Sequence, residues 1–208
     1  MKKKLLLITI IFLGHLNSIQ AQQVEECATG IIHTKLMETD PVYAKKIAEN
    51  ERLIQQLAEN PTRDTDGVVY EIPLVVHIVH TGESEGTGAN ISMTQINSAI
   101  DNLNNRYRNL HGPSVDTEIE FVLAQRDPDG NATTGIVRVD GSGVTNYAAE
   151  GLNAGSGTGL GADEEEIKDL SRWPSTDYYN IWVVTEIEGN DGGFGIQGYA
   201  YYPGAPPS

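Results

Sequence analysis

An α+β fold, preceded by an apolar leader and a helical segment, is what the 208 residues predict. Three observations carry this. A short apolar run follows Lys2, Lys3 and Lys4; residues 40–60 repeat apolar positions at helical spacing; from Val68 onward, short apolar runs alternate with one well-capped helix between Gly- and Pro-rich turns. The net charge of −15 and the lack of a Lys/Arg cluster beyond the leader argue against a nucleic-acid binder. With the single Cys27 no intrachain disulfide forms, so the fold relies on packing or bound ions.

Residues 1–21 have signal-peptide form: a basic start, the apolar run Leu5 to Leu13, and small Ala21 at the cleavage point. A run of nine residues falls short of the roughly 20 that a bilayer-spanning helix needs, so no membrane span is expected. Cleavage removes three lysines and takes the charge from −15 to −18 over residues 22–208. The mature chain is therefore expected outside the cell.

Residues 22–66 read as a separate helical segment. Asp40 supplies a capping oxygen and Pro41 suits the first helical position. Tyr43, Ile47, Ile54 and Leu57 follow one face until Asn60-Pro61 stops the helix. Such a helix packs on a core, on a partner or on its own catalytic domain, and composition does not choose among them. Pro61 to Gly67 reads as a linker.

The α+β portion, residues 67–208, begins with a buried strand over Val68–Val79. Ser92-Met-Thr-Gln95 has capping-box form, and Ile96, Ala99, Ile100, Leu103 and Tyr107 continue at helical spacing. Glu118–Gln125 alternates as a second strand and ends at the turn Asp127-Pro-Asp-Gly130. Gly135–Val139 reads as a short strand, and Gly141–Gly161 as a flexible insertion before an acidic helix near Ala162–Leu170. Asn180–Ile187 and Gly198–Pro203 complete the strands.

Motifs alone give no complete active site. None of the five histidines, at 15, 33, 77, 80 and 111, belongs to H-E-x-x-H. His77 and His80, three apart in an extended strand, point to opposite faces and cannot jointly grip an ion, so a structural role is expected. Asn90-Ile-Ser92 and Asn131-Ala-Thr133 match the glycosylation sequon, but turn chemistry explains both better. The acidic run Asp163–Glu166 could hold calcium; a solvated helix N-terminus is the simpler reading. Gly189–Gly198 lacks a phosphate-loop Lys and reads as a loop.

A longer ordered series is more telling. Ile72-Pro-Leu-Val-Val-His-Ile-Val79, Asn90-Ile-Ser-Met-Thr-Gln-Ile-Asn97, Leu103-Asn-Asn-Arg-Tyr107, Ile119-Glu-Phe-Val-Leu-Ala124, Asp127-Pro-Asp-Gly130, Thr134-Gly-Ile-Val-Arg138, Tyr178-Tyr-Asn-Ile-Trp-Val183 and Gly198-Tyr-Ala-Tyr-Tyr-Pro-Gly204 follow one another. Together they resemble the pappalysin family of zinc metalloproteases, of the metzincin clan, over roughly residues 70–204. The resemblance implies a metzincin-like N-terminal subdomain, a twisted mixed sheet with a backing helix, preceded by a helical pro-segment. It also implies peptide-bond hydrolysis by a metal-activated water. In such enzymes three His of H-E-x-x-H-x-x-G-x-x-H hold zinc and the Glu takes the water's proton. That helix and one sheet strand are missing from residues 1–208, so the resemblance implies an incomplete subdomain (a truncated product, a partial record or a degenerate copy) that alone is expected to be inactive.

By the same resemblance, Gly198, Tyr199, Ala200, Tyr201 and Tyr202 form the rim strand that binds substrate through its backbone. Its sheet neighbour being the missing strand, its amides and carbonyls are expected to stand unpaired. Cys27 in Glu26-Cys-Ala-Thr-Gly30 resembles the inhibitory zinc ligand of a zymogen; an incidental free thiol is the plain alternative. Zinc is the implied cofactor, calcium a further ion the resemblance allows, and protein or peptide substrates the implied partners. The expected function is that of a secreted zinc metalloendopeptidase precursor. The alternative is a non-catalytic exported binding module, or an inactive remnant, with the same sheet. Oligomeric state is not written in the sequence.

Overall fold

A computed structural model describes residues 27–59, 67–113, 115–190 and 195–203. The leader, the 60–66 linker with Arg63, and Gly204 lie outside them. In chain order the elements are α1 (Thr29–Thr39), α2 (Pro41–Glu59), β1 (Tyr70–His80), α3 (Met93–Tyr107), β2 (Ile119–Leu123), β3 (Ile136–Asp140), α4 (Tyr147–Glu150), α5 (Glu164–Asp169) and β4 (Tyr179–Val183).

β1 is the hub of the sheet: β2, β3 and β4 all pair with it, each in parallel. The Leu74 carbonyl accepts from Ala124 N (2.8 Å) and Val76 N donates to the Gly135 carbonyl (2.9 Å). Backbone groups two residues apart in a strand face the same edge, so β2 and β3 lie end to end along one edge of β1 and β4 takes the other. The continuous apolar run of β1 has the same origin, because both its faces are covered. Leu74, Val76 and Ile78 pack with Phe121 and with Ile96 of α3. On the far face Val75 meets Trp173, and Val79 meets Tyr147 and Ile167.

Local chemistry sets the helix ends. Ser92 and Gln95 form the reciprocal capping box that the sequence predicts. The Asp40 carboxylate accepts from Val42 N and Tyr43 N at the start of α2. α3 backs the sheet and also closes an edge. Asn104 accepts from Phe121 N and donates to the Phe121 carbonyl (both 2.8 Å), covering backbone groups that β2 turns away from β1.

Four expectations are corrected. First, Thr29–Thr39 form a further helix ahead of α2 that the sequence reading did not mark; Ala28, Ile32 and Leu36 pack against Ala154, Ile187 and Tyr199. Second, only Tyr43 of the apolar face of α2 is buried; Ile54 and Leu57 stay exposed. Third, Gly141–Gly161 is a packed segment, not a flexible insertion. Tyr147 is fully buried, its hydroxyl donates to the Val79 carbonyl (2.6 Å), and Leu152 bridges to both Ala162 and Ile187. Fourth, residues 198–203 form no ladder, so every strand pairing among the described residues is parallel, and β4 ends at Val183 rather than Ile187.

Candidate functional site: a groove between β4 and residues 196–202

β4 shares one edge with β1 and carries no strand on the other among the described residues. Even-numbered residues of β1 serve β2 and β3, which leaves Val75 and His77 to bond β4. Their register partners are Asn180 and Trp182, so the odd residues of β4 turn inward and the backbone groups of Asn180 and Trp182 turn outward. They face a groove of about 800 Å³, walled by Asn180–Ile187 on one side and Ile196–Tyr202 on the other. The Trp182 indole N–H, buried at this wall, has no partner among the described residues.

The far wall is a segment without a ladder, fixed from two sides. From α5, Glu164 pairs with Lys168 and accepts from the Tyr201 hydroxyl (2.6 Å). Lys168 Nζ lies over the rings of Trp182 (5.1 Å) and Tyr201 (4.8 Å), which join β4 to the rim. Burial, with Glu164 alongside, pushes the Tyr199 and Tyr201 hydroxyls well above the ordinary tyrosine range, so both stay protonated. From the N-terminal segment, Ala28 N donates to the Gly198 carbonyl (3.3 Å) and Thr29 Oγ1 accepts from Ala200 N (2.8 Å). Asn50 Nδ2 reaches the Pro203 carbonyl (2.7 Å). Backbone groups of Gly198 and Ala200, expected from the sequence to stand unpaired, are thus bonded by Ala28 and Thr29.

Cys27 is exposed and sits beside this contact, its Sγ 3.2 Å from Thr29 Oγ1. Hydrogen bonds from the Thr29 hydroxyl and then the Thr29 amide hold its pKa below the ordinary thiol value. His77 lies in the core, fully buried and stacked on Trp182, with Nε2 2.8 Å from Asn180 Oδ1. Asn180 Oδ1 also accepts from Trp173 N, so His77 donates through Nε2; burial pushes its pKa down. His80, on the other face, accepts from Gly82 N at Nδ1. Neither histidine faces the groove as a ligand.

The acidic run is also accounted for by the fold. Asp163 caps α5, Glu164 is paired as above, and Glu165 pairs with Arg172. Asn90 is buried and bonded to the Glu83 carbonyl and Arg138, a turn role rather than a glycan acceptor's. Among the described residues no three His, Cys, Asp or Glu side chains come together as a metal site, and no helix is long and apolar enough to cross a membrane.

No protein-family profile and no curated protein sequence matches the chain. The fold resembles that of promirolysin. A promirolysin variant from Tannerella forsythia aligns over 86% of this chain and 54% of its own, with 27% identity and a TM-score of 0.56. Mature mirolysin of the same organism, in complex with a cleaved peptide, aligns over 55% of this chain and 42% of its own, with 31% identity and a TM-score of 0.39. The chain thus has a metalloprotease-like fold and spans about half the length of promirolysin. The groove follows from the register of β4. The α1 contacts and the Glu164–Lys168 pair were missed in the sequence, although Ala28, Ile32 and Leu36 at intervals of four were a legible signal for α1.

Proposed function

We propose that the chain is the front portion of a secreted zinc-dependent metalloendopeptidase precursor of pappalysin type, with residues 22–66 as its pro-segment. One observation carries the reading: a groove beside an open sheet edge has a rim that is engaged by the N-terminal segment, in a fold resembling promirolysin. The described residues do not fit a zinc centre, since no three ligand side chains converge, and no catalytic step is assigned to them. What this chain's residues offer is substrate placement. Gly198, Tyr199, Ala200, Tyr201 and Tyr202 present backbone groups to an extended peptide, and the α5 contacts keep Tyr201 in place. Cys27 is proposed as the inhibitory metal ligand of the latent form. Its lowered pKa and its place one residue from the Ala28–Gly198 hydrogen bond support that role. The leader Met1–Ala21 supports secretion.

The test is expression of the complete open reading frame. Chelator-sensitive peptide hydrolysis that appears on removal of residues 22–66, or on Cys27→Ala, is the expected result. A frame without H-E-x-x-H, or a product without hydrolysis, favours the non-catalytic binding module. The 208-residue chain alone is expected to hold no stoichiometric zinc by atomic-absorption analysis. One-to-one zinc lost on His77→Ala would show that histidine to be a ligand.

A further inference from the structure

The start of α1 meets the rim segment as a strand would, with one substitution. Ala28 N donates to the Gly198 carbonyl, and Ala200 N donates to Thr29 Oγ1. Both groups meet the adjacent residues Ala28 and Thr29, so they share one edge. In a parallel ladder, the residue that donates to the Gly198 carbonyl also accepts from Ala200 N through its own carbonyl. That residue is Ala28, and its carbonyl is taken: it accepts from Ile32 N (2.9 Å) in the first turn of α1. The helix begins where the ladder would have continued, and the next residue's hydroxyl takes the carbonyl's place.

We infer that residues 27–29 occupy the outer edge of the rim segment as a built-in ligand, with the Thr29 hydroxyl standing in for a strand carbonyl at Ala200 N–H, so that an extended peptide must displace the start of α1 to use that edge. This rests on the reading that the rim receives peptide. The occupancy runs on along the segment: the Tyr202 ring lies edge-on to His33 (4.7 Å), and Asn50 bonds the Pro203 carbonyl. The same hydroxyl touches Cys27 Sγ.

Thr29→Val keeps the shape and removes the hydroxyl; Thr29→Ser keeps the hydroxyl. In the 208-residue chain, Thr29→Val is expected to speed amide exchange at Ala200 about tenfold. Thr29→Ser is expected to stay near the parent. Unchanged amide exchange over Leu74–Val79 checks that the fold is intact. A labelled synthetic peptide of residues 27–39, added in trans, is expected to bind the Thr29→Val chain about tenfold more tightly than the parent. That factor corresponds to roughly 1.4 kcal/mol, the scale of one lost hydrogen bond. Equal exchange at Ala200 in all three chains, or peptide binding indifferent to Thr29→Val, overturns the inference. These readouts use no substrate, so they fail independently of the hydrolysis assay on the complete frame.

Discussion

Removing the Tyr147 hydroxyl measures how the back of the sheet is tied to the groove. Tyr147 is fully buried; its hydroxyl donates to the Val79 carbonyl (2.6 Å) and accepts from Thr185 N (3.2 Å). Burial pushes its pKa up to about 12, so it remains a donor at any working pH. Tyr147→Phe keeps the ring and so opens almost no cavity. The cost comes from two backbone groups left without partners, each worth about 1–3 kcal/mol when buried. Thr185 N is only partly enclosed and belongs at the low end, so the expected loss is about 2–4 kcal/mol. At roughly 2–4 °C per kcal/mol for a chain of this size, the melting temperature should fall by about 5–15 °C. Urea unfolding should show a lower midpoint with an unchanged slope, since the surface exposed on unfolding is the same. Amide exchange should rise at Val184–Glu186, where β4 becomes the groove wall. A loss below about 0.5 kcal/mol would mean that both groups find other partners, and would refute the assignment of Tyr147 as the link between β1 and the groove.

Three further outcomes are expected. Asn104→Ala uncovers the outer edge of β2 and should cost about 1–3 kcal/mol in urea unfolding, with faster exchange at Phe121. Gly151→Ala should destabilise by about 3 kcal/mol or more, because φ is +64° and the new Cβ would lie 2.0 Å from the Glu186 carbonyl oxygen, a backbone atom; near-parental stability would show that the turn can re-form. His77 has its folded pKa pushed below 6.5, so its contribution is intact above about pH 6.5 and is lost as pH falls, by up to ~1.4 kcal/mol per pH unit. Urea midpoints between pH 7.5 and 5 should show that slope, and His77→Gln should flatten it.

What could be read from the sequence divides along physical lines. Strands and helices whose partners lie close in the chain were legible. The β1 run, the Ser92–Gln95 capping box and the Asp40 cap depend on periodicity and on bonds within a few residues. The reading of His77 and His80 on opposite faces needed only the two-residue repeat of a strand. Segments whose conformation depends on distant partners were not legible. Gly141–Gly161 looks like a linker by composition, yet it is fixed by Tyr147 reaching Val79, 68 residues away, and by Glu188 accepting from Ser156 and Thr158. Residues 198–203 have strand-forming side chains, yet they pair in no ladder among the described residues and are held instead by contacts from Ala28, Thr29 and Glu164. Likewise the Thr29–Ala200 bond joins positions 171 residues apart, and no local pattern reports it.

The two attachments of the rim differ in kind, and the difference bears on how the site works. The Glu164–Lys168 pair has only 15% and 7% of its side chains exposed. An ion pair so enclosed adds little net stability, because desolvation offsets the attraction, and its effect is therefore best sought in geometry. Lys168 lies between Trp182 of β4 and Tyr201 of the rim, and Glu164 holds the Tyr201 hydroxyl, so the pair fixes the spacing between the two walls of the groove. None of these side-chain contacts uses the backbone edge at Gly198 and Ala200. That edge is held by α1 alone among the described residues, through two hydrogen bonds of ordinary strength. Loss of the N-terminal segment would thus free the backbone edge while leaving the α5 contacts in place. A rim fixed by its side chains and vacated along its backbone is the arrangement that strand addition by a peptide requires, since the peptide then orders itself and not the wall it binds.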